Sequence, residues 1–363
     1  MVRASAPTFT VLKSKTMPTM QAMVLRSHGG PEVLERQEIE LPPPGPREVQ
    51  VRVKAVAMNH MDLWVRRGLP HLKLPYPFRL GCDIAGVVEE LGPGARGARV
   101  GDRVLLQPGV ACGVCQACLS GRDNLCRSYG ILGENTQGGY SELINVPDTN
   151  LLPLPSRLSF EEASALPLCL LTAWQMVFKK ARVSPGQTVL VQAAGSGVSS
   201  LAIQLCKMVG ARVITTTSTD EKAARARQLG ADEVINYTSQ DLVAEVRRLT
   251  GKNGVDVVLE HVGGEVFAKS ILATRWGGRV VTVGATSGHA ASIDLRQIFF
   301  RQVEVLGSTM GSKGDLCEAL PLVEAGKIHP VVDRILPLWE ARRAHELLEA
   351  RQVFGKIVLT LGA

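Results

Sequence analysis

A chain of 363 residues with 45% hydrophobic and 21% charged residues is ordinary for a globular protein of about two domains. Only 4% of residues are aromatic, which argues against a stacking platform for single-stranded nucleic acid. The net charge of +7 is spread along the chain and interrupted by acids, as on a solvated surface with local positive charge for a phosphorylated cofactor. No stretch reaches membrane-spanning length, so neither nucleic acid nor a membrane is expected as a partner.

Met1 to Thr19 is polar, rich in Ser and Thr, and lacks the continuous apolar run of a secretory signal. An unstructured leader upstream of an internal start such as Met20 is expected there. Short strands and turns follow. Val49, Val51, Val53 and Ala55 alternate with Gln50, Arg52 and Lys54, the period of a half-buried strand. Further strands are expected over Ala85–Leu91, ahead of the turn Gly92-Pro93-Gly94, and over Arg103–Leu106.

Cys112-x2-Cys115-x2-Cys118-x7-Cys126 is the strongest chemical signal. Four thiolates close a tetrahedron around Zn²⁺ and leave no position for water or substrate, so this metal is expected to be structural. An iron–sulfur cluster is the alternative by ligand type. Gly109, Gly113 and Gly121 supply turns for a lobe over 109–127. Four of the eight cysteines fall in this cluster, which suggests metal binding in a reducing compartment, the cytoplasm, rather than a disulfide framework.

From about residue 187 strands alternate with helices. Strands are expected at Thr188–Gln192, Arg212–Thr217, Glu233–Asn236, Val255–Leu259, Arg279–Val283 and Val303–Leu306, with helices at Ser200–Val209, Glu221–Leu229 and Leu242–Leu249. Apolar strands separated by helices make parallel βαβ units, and six make a complete doubly wound dinucleotide-binding sheet of the Rossmann type. The fold class is therefore α/β. The strand-like Lys356–Thr360 near the C-terminus returns to a first domain split by this insertion.

After the first of these strands comes a small-residue turn, Gly195-Ser196-Gly197-Val198, opening a helix. Small residues let the backbone approach a pyrophosphate, and the helix N-terminus offers it free N–H groups. The glycine fingerprint is only partly kept, because Ser200 stands at its last position. At the end of the second strand, where NAD-binding folds place an acid, stand Thr217 and Ser218, with Lys222 one turn on. Hydroxyls and a Lys suit a 2′-phosphate that a carboxylate would repel, so NADP(H) is the expected cofactor.

The chain from about Met20 resembles the medium-chain dehydrogenase/reductases, particularly zinc-binding alcohol dehydrogenase-like and quinone oxidoreductase-like members. The likeness rests on Asn59-His60-Met61-Asp62 with Arg67-Gly68, on Gly81-Cys82-Asp83-x2-Gly86-x-Val88, on the four cysteines and on Gly254-Val255-Asp256-Val257-Val258. It implies a mostly-β GroES-like catalytic domain over 20–165 and 316–363, a Rossmann domain over 166–315, and hydride transfer in the cleft between them. It implies also a homodimer or dimer of dimers through the last Rossmann strand near Val303–Ser308. By the same resemblance Thr172 meets the nicotinamide end, Val262 and Gly284 lie beneath it, and Tyr237 and Lys356 are weaker candidates for the adenosine phosphate and cofactor edge.

Departures from the resemblance carry the functional expectation. Zinc alcohol dehydrogenases have a Cys at the place of Asn59, a His at that of Cys82, and a second Cys at that of Leu168. Cys169 lies one residue off and is expected to point differently. Two buried thiols are the expectation, with an improvised metal site of Cys82, Cys169 and Asp83 as the alternative. The resemblance then implies an NADPH-dependent reductase of quinones or α,β-unsaturated carbonyls without a catalytic zinc. Asn59, Asp62 and Cys82 are its candidate catalytic residues: Asn59 for the developing enolate, Asp62 more as an anchor of its loop. His60 is expected at the surface, with a proton donor as the alternative. The rivals are an alcohol dehydrogenase with a non-standard metal site and a catalytically idle NADPH-binding protein.

Overall fold

In the computed structural model residues 17–70 and 72–362 are described. The leader expected over residues 1–19 lies outside them except for its end, where Thr19 already opens the strand Thr19–Leu25 and pairs with Glu40. Two main sheets divide the chain. The first has seven strands, in the order Val332–Pro337, Lys356–Thr360, Glu48–Ala57, Asp83–Leu91, Arg103–Leu106, Leu151–Pro153, with Leu143–Pro147 also paired to Glu48–Ala57. Its pairings are antiparallel except the first. Val49, Val51 and Val53 enter the core while Arg52 and Lys54 stay partly exposed, as the alternation requires, but Gln50 is buried, its amide donating to Asn145 Oδ1 on the paired strand.

The second sheet is six-stranded and wholly parallel, in the order Glu233–Asn236, Arg212–Thr217, Thr188–Val191, Val255–Glu260, Thr274–Thr282, Glu304–Gly307. Chain order 3-2-1-4-5-6 is the doubly wound dinucleotide-binding arrangement, with its switch point beside Thr188–Val191. Val189, Leu190, Val257 and Val258 are fully buried, because helices cover both faces.

Two element starts differ from expectation by three residues or more. The helix expected from Ser200 starts at Gly197, because the Ser196 hydroxyl accepts the Ser199 N–H and caps it three residues earlier. The strand expected from Arg279 starts at Thr274, opposite Val255, and resumes after a register shift with Arg279 opposite Val257. Trp276-Gly277-Gly278 lies in the irregularity between those two pairings, where Gly277 N–H donates to Arg301 O at 2.8 Å.

The chain rejoins the first sheet at Val332–Pro337, while the helix Lys313–Glu324, within which the expected boundary at 316 falls, packs on Pro167–Trp174. A second junction closes the cleft. Gly355 N–H donates to Gly195 O at 2.8 Å, and Ser196 and Gly355 form a parallel bridge. Among the described residues no helix is long and apolar enough to cross a membrane.

Candidate active site

Asn59 ends the strand Glu48–Ala57 after one intervening residue and precedes the helix His60–Arg67. Asp62 fixes this turn: one carboxylate oxygen accepts the Asn59 N–H at 2.7 Å, the other the Gly81 N–H at 3.0 Å. Burial raises the Asp62 pKa to about 6 against the pull of those two N–H groups. Its carboxylate is thus spent on the loop that carries Asn59.

Three other elements converge on the Asn59 amide. Its Nδ2 donates to Cys82 Sγ at 3.3 Å and to Asp83 Oδ2 at 2.9 Å. Its Oδ1 accepts Lys356 Nζ at 2.5 Å and the Cys169 thiol at 3.7 Å. Lys356 Nζ also reaches Asp83 Oδ2 at 2.9 Å and Cys169 Sγ at 3.5 Å. Asp83 completes its set by accepting the Leu168 N–H at 2.7 Å. The expectation for Cys169 is corrected: Leu168 turns its backbone to Asp83, and the Cys169 thiol points into the cluster. Lys356 sits in that cluster too, 4% exposed, with its stem against Gly197. A methyl group on Gly197 would lie 2.7 Å from both Cys169 Sγ and Lys356 Cδ, so the glycine is needed for this approach.

Charge in the cluster is balanced by one ion pair. Burial opposes the Lys356 charge, but Asp83 and the neighbouring thiols more than offset this and raise its pKa. Burial, helped by Asp83, pushes the Cys82 thiol far up and the Cys169 thiol to about 11, so both are protonated at neutral pH. His60 is half-buried beside the cluster, not at the surface, and burial with nearby cations lowers it to about 4.

At the carboxyl edge of the second sheet the first turn of Gly197–Met208 presents backbone N–H groups, since helix geometry leaves its leading donors unpaired. The sequence reading missed the support beneath it. His261 Nε2 lies 3.0 Å from Ser196 Oγ and 2.9 Å from Ser199 Oγ, and the Ser199 hydroxyl donates to Gln192 O at 2.6 Å. Burial lowers His261 to about 4, leaving a neutral ring. Glu260, also missed, accepts the Val262 and Gly263 N–H groups at 2.7 and 2.8 Å and shapes the loop below. Both residues end a strand at the sheet's ligand edge, the one signal that could have found them.

Thr217 is buried and bonds to Thr219 O, and Tyr237, half-exposed, donates its N–H to Thr217 O on the adjacent strand. Ser218 lies between them and the helix Asp220–Gln228, where Lys222 Nζ donates to Arg351 O at 2.7 Å. No carboxylate replaces Thr217 at the strand end. These features fit a nicotinamide dinucleotide: donors for a pyrophosphate, then hydroxyls and an ammonium beyond. A cavity of about 380 Å³ opens at the strand ends, lined by Thr282, Val283, Gly284, Ser308, Thr309 and, from the cysteine lobe, Asn124. Thr172 is buried on Pro167–Trp174, close by in sequence to Gln175, another lining residue.

The four lobe cysteines form a separate centre. All Sγ atoms lie within 4.8 Å of one another, with Cys115–Cys118 and Cys112–Cys126 at 3.5 Å and Cys112–Cys118 at 3.9 Å. Zn–S bonds of about 2.3 Å in a tetrahedron place sulfurs about 3.8 Å apart, so the set fits Zn²⁺ with no free corner. Gly113 and Gly121, both at positive φ, make the turns that wrap it. Among the described residues this is the only group of three or more Cys, His, Asp or Glu placed to hold an ion.

A dinucleotide sheet, a GroES-like sheet and a polar cluster in the cleft between them define an oxidoreductase. Residues 45–156 match the alcohol dehydrogenase GroES-like domain and residues 197–325 the zinc-binding dehydrogenase family. The chain belongs to the medium-chain dehydrogenase/reductase family. It is 34% identical to an NAD-dependent alcohol dehydrogenase of Saccharolobus solfataricus, covering 94% of this chain and 99% of that one. It is 33% identical to a quinone oxidoreductase of Salmonella typhimurium, covering 92% and 97%. A crystal structure of an NAD-dependent alcohol dehydrogenase aligns with a TM-score of 0.92 at 53% identity, over 94% of this chain and 100% of that one.

Proposed function

We propose that the chain catalyses NADPH-dependent reduction of a quinone or an α,β-unsaturated carbonyl, with no catalytic zinc. The observation that carries this reading is the Lys356 ammonium bonded to Asn59, Asp83 and Cys169. A divalent ion there would meet two protonated thiols and an ammonium already holding the carboxylate. The donor set does not fit zinc.

Hydride added to a simple ketone puts the developing charge directly on the carbonyl oxygen, where a Lewis-acid metal stabilises it. Conjugated acceptors can do without one, because charge from hydride added at carbon spreads to a distal oxygen. Bound dihydronicotinamide supplies the hydride. The protein's part is to orient the acceptor and stabilise the enolate. Asn59, held at both ends of its amide, keeps one orientation with Lys356 behind it; Asp62 fixes its backbone; Cys82 is its neutral thiol partner.

NADP(H) is favoured by the missing acid at Thr217 and by Lys222, which uses one donor on Arg351 O and keeps two for a phosphate. Exposed Phe299 and Phe300 at the end of the short helix Arg296–Phe299, with exposed Val305 in the edge strand Glu304–Gly307, support pairing of two copies there, in a reducing, cytoplasmic setting. The solution mass should then be at least twice that of the chain, and a monomeric mass contradicts the pairing.

The test of function is turnover. Reduction of a quinone and enone panel with NADPH should survive brief treatment with a mild chelator. Activity abolished by chelation and restored by added zinc would overturn the reading in favour of an alcohol dehydrogenase, with Cys82 the first residue to substitute. No turnover on any acceptor would leave the nucleotide-binding protein as the better account.

A further inference from the structure

We propose that Lys356 takes the electrostatic place of a catalytic metal ion: a resident ammonium that orients Asn59 and keeps cations out. The inference rests on the metal-free reading above and adds the residue responsible for it.

Three elements far apart in sequence aim their polar groups at this one nitrogen: the turn at Asn59, the strand from Asp83, and the helix that carries Cys169. Acceptors gathered around a buried point from separate elements are what a metal site provides. Here the point is filled by a side chain entering from the last strand. Lys356 and Asp83 cancel, and the remaining members are neutral. An added divalent ion would be unbalanced, and it would meet the ammonium at contact distance in a medium that screens poorly.

Lys356 also removes freedom from Asn59. With Nζ on Oδ1, and Asp83 and Cys82 on Nδ2, flipping that amide would set ammonium against N–H and carboxylate against carbonyl. In the reduction a C–H bond forms at the acceptor's β-carbon as the hydride, with its electron pair, leaves the dihydronicotinamide. The acceptor's π electrons move to its oxygen, which then takes a proton from water, and the cofactor is left oxidised. The Lys356–Asp83 pair is fixed in place before the reaction, so the field that the developing negative charge meets needs no reorganisation at that moment. Lys356 is a positioning residue in this scheme, acting through Asn59.

The experiment uses the full-length zinc-loaded protein as wild type, Lys356→Met and Lys356→Arg. Three quantities are read: NADPH affinity by fluorescence, kcat on an enone, and Co²⁺ uptake at the cluster by thiolate-to-cobalt absorption beyond that of the four-cysteine lobe. Lys356→Met should lower kcat about 10²-fold, by analogy with other single electrostatic groups, with NADPH affinity within about threefold. Lys356→Arg should recover most of kcat. Lys356→Met should gain a second Co²⁺ equivalent, absent in wild type and lost again when Cys169→Ser is added.

A tenfold or larger loss of NADPH affinity with kcat unchanged overturns the proposal and makes Lys356 a cofactor-edge residue. Lys356→Met that keeps wild-type kcat and takes up no second cobalt overturns it as well. If Lys356→Met does not fold, Lys356→Gln, which keeps a donor to Asn59 without the charge, is read in the same way. Cobalt uptake needs no turnover, so a wild type inactive on every enone fails the functional reading while the metal-excluding role is still decided.

Discussion

Lys222 is the residue at which cofactor choice can be weighed most directly. It follows Thr219, whose hydroxyl caps the helix Asp220–Gln228 by accepting the Lys222 N–H at 3.2 Å. Burial lowers its ammonium's pKa, so charge there is costly unless an anion compensates it. We expect NADPH to bind more tightly than NADH, and Lys222→Ala to narrow the gap by roughly 1.5–3 kcal/mol, the range for a charged hydrogen bond. Equal affinities for the two cofactors in wild type, measured by titration, would contradict the NADP(H) assignment. Thr217, Ser218 and Lys222 could be proposed from the sequence because strand end, turn and helix start are contiguous. The partners of Lys356 could not: it and Asp83 lie 273 residues apart, and no local pattern links them.

The element most completely written in the sequence is the cysteine lobe. Four ligands within fifteen residues need only short turns to meet, so spacing and chemistry specify the centre without help from the rest of the fold. The lobe otherwise has little to hold it, a four-residue helix Gln116–Leu119 and a short turn Asp123–Leu125, with Val114 and Leu119 exposed. Metal binding must therefore supply most of its order, and structural zinc contributes on the order of 10 kcal/mol in small fingers. Elemental analysis should give one zinc per chain, and Cys115→Ser with Cys118→Ser should remove it. Two zincs in wild type, with one kept in the double variant, would place a metal elsewhere. Element ends were less legible than element types, since Ser196 and the Thr274–Val255 pairing act through single contacts that periodicity does not carry.

Over the whole molecule three histidines with lowered pKa values, His60, His261 and His345, set the response to acid. Burial first, then nearby cations, lowers His60 to about 4 and His345 to about 3, while burial lowers His261 to about 4. Unfolded histidines titrate near about 6.5, so in this window the unfolded chain binds more protons than the native one. Their contribution to stability is complete above the unfolded value and is lost as pH falls towards 4. Each contributes up to about 1.4 kcal/mol per pH unit. Asp62, raised to about 6, acts in the opposite sense and offsets part of the slope. Urea unfolding should show lower stability at pH 5.5 than at 7.5, with a shallower dependence in His345→Gln, whose ring bridges Tyr140 and Arg66 in wild type. A profile flat over that range would mean that these rings are more open to water than the fold indicates.

The bond from Gly355 N–H to Gly195 O fastens the residue before Lys356 to the loop that opens the helix Gly197–Met208, the proposed nucleotide loop. Two ligands that each act on one splice of backbone share a coupling free energy. By reciprocity, whatever factor the nucleotide applies to acceptor affinity through that splice, the acceptor applies to nucleotide affinity in return. The strength of that coupling is then a property of the backbone joining the two domains as much as of either pocket.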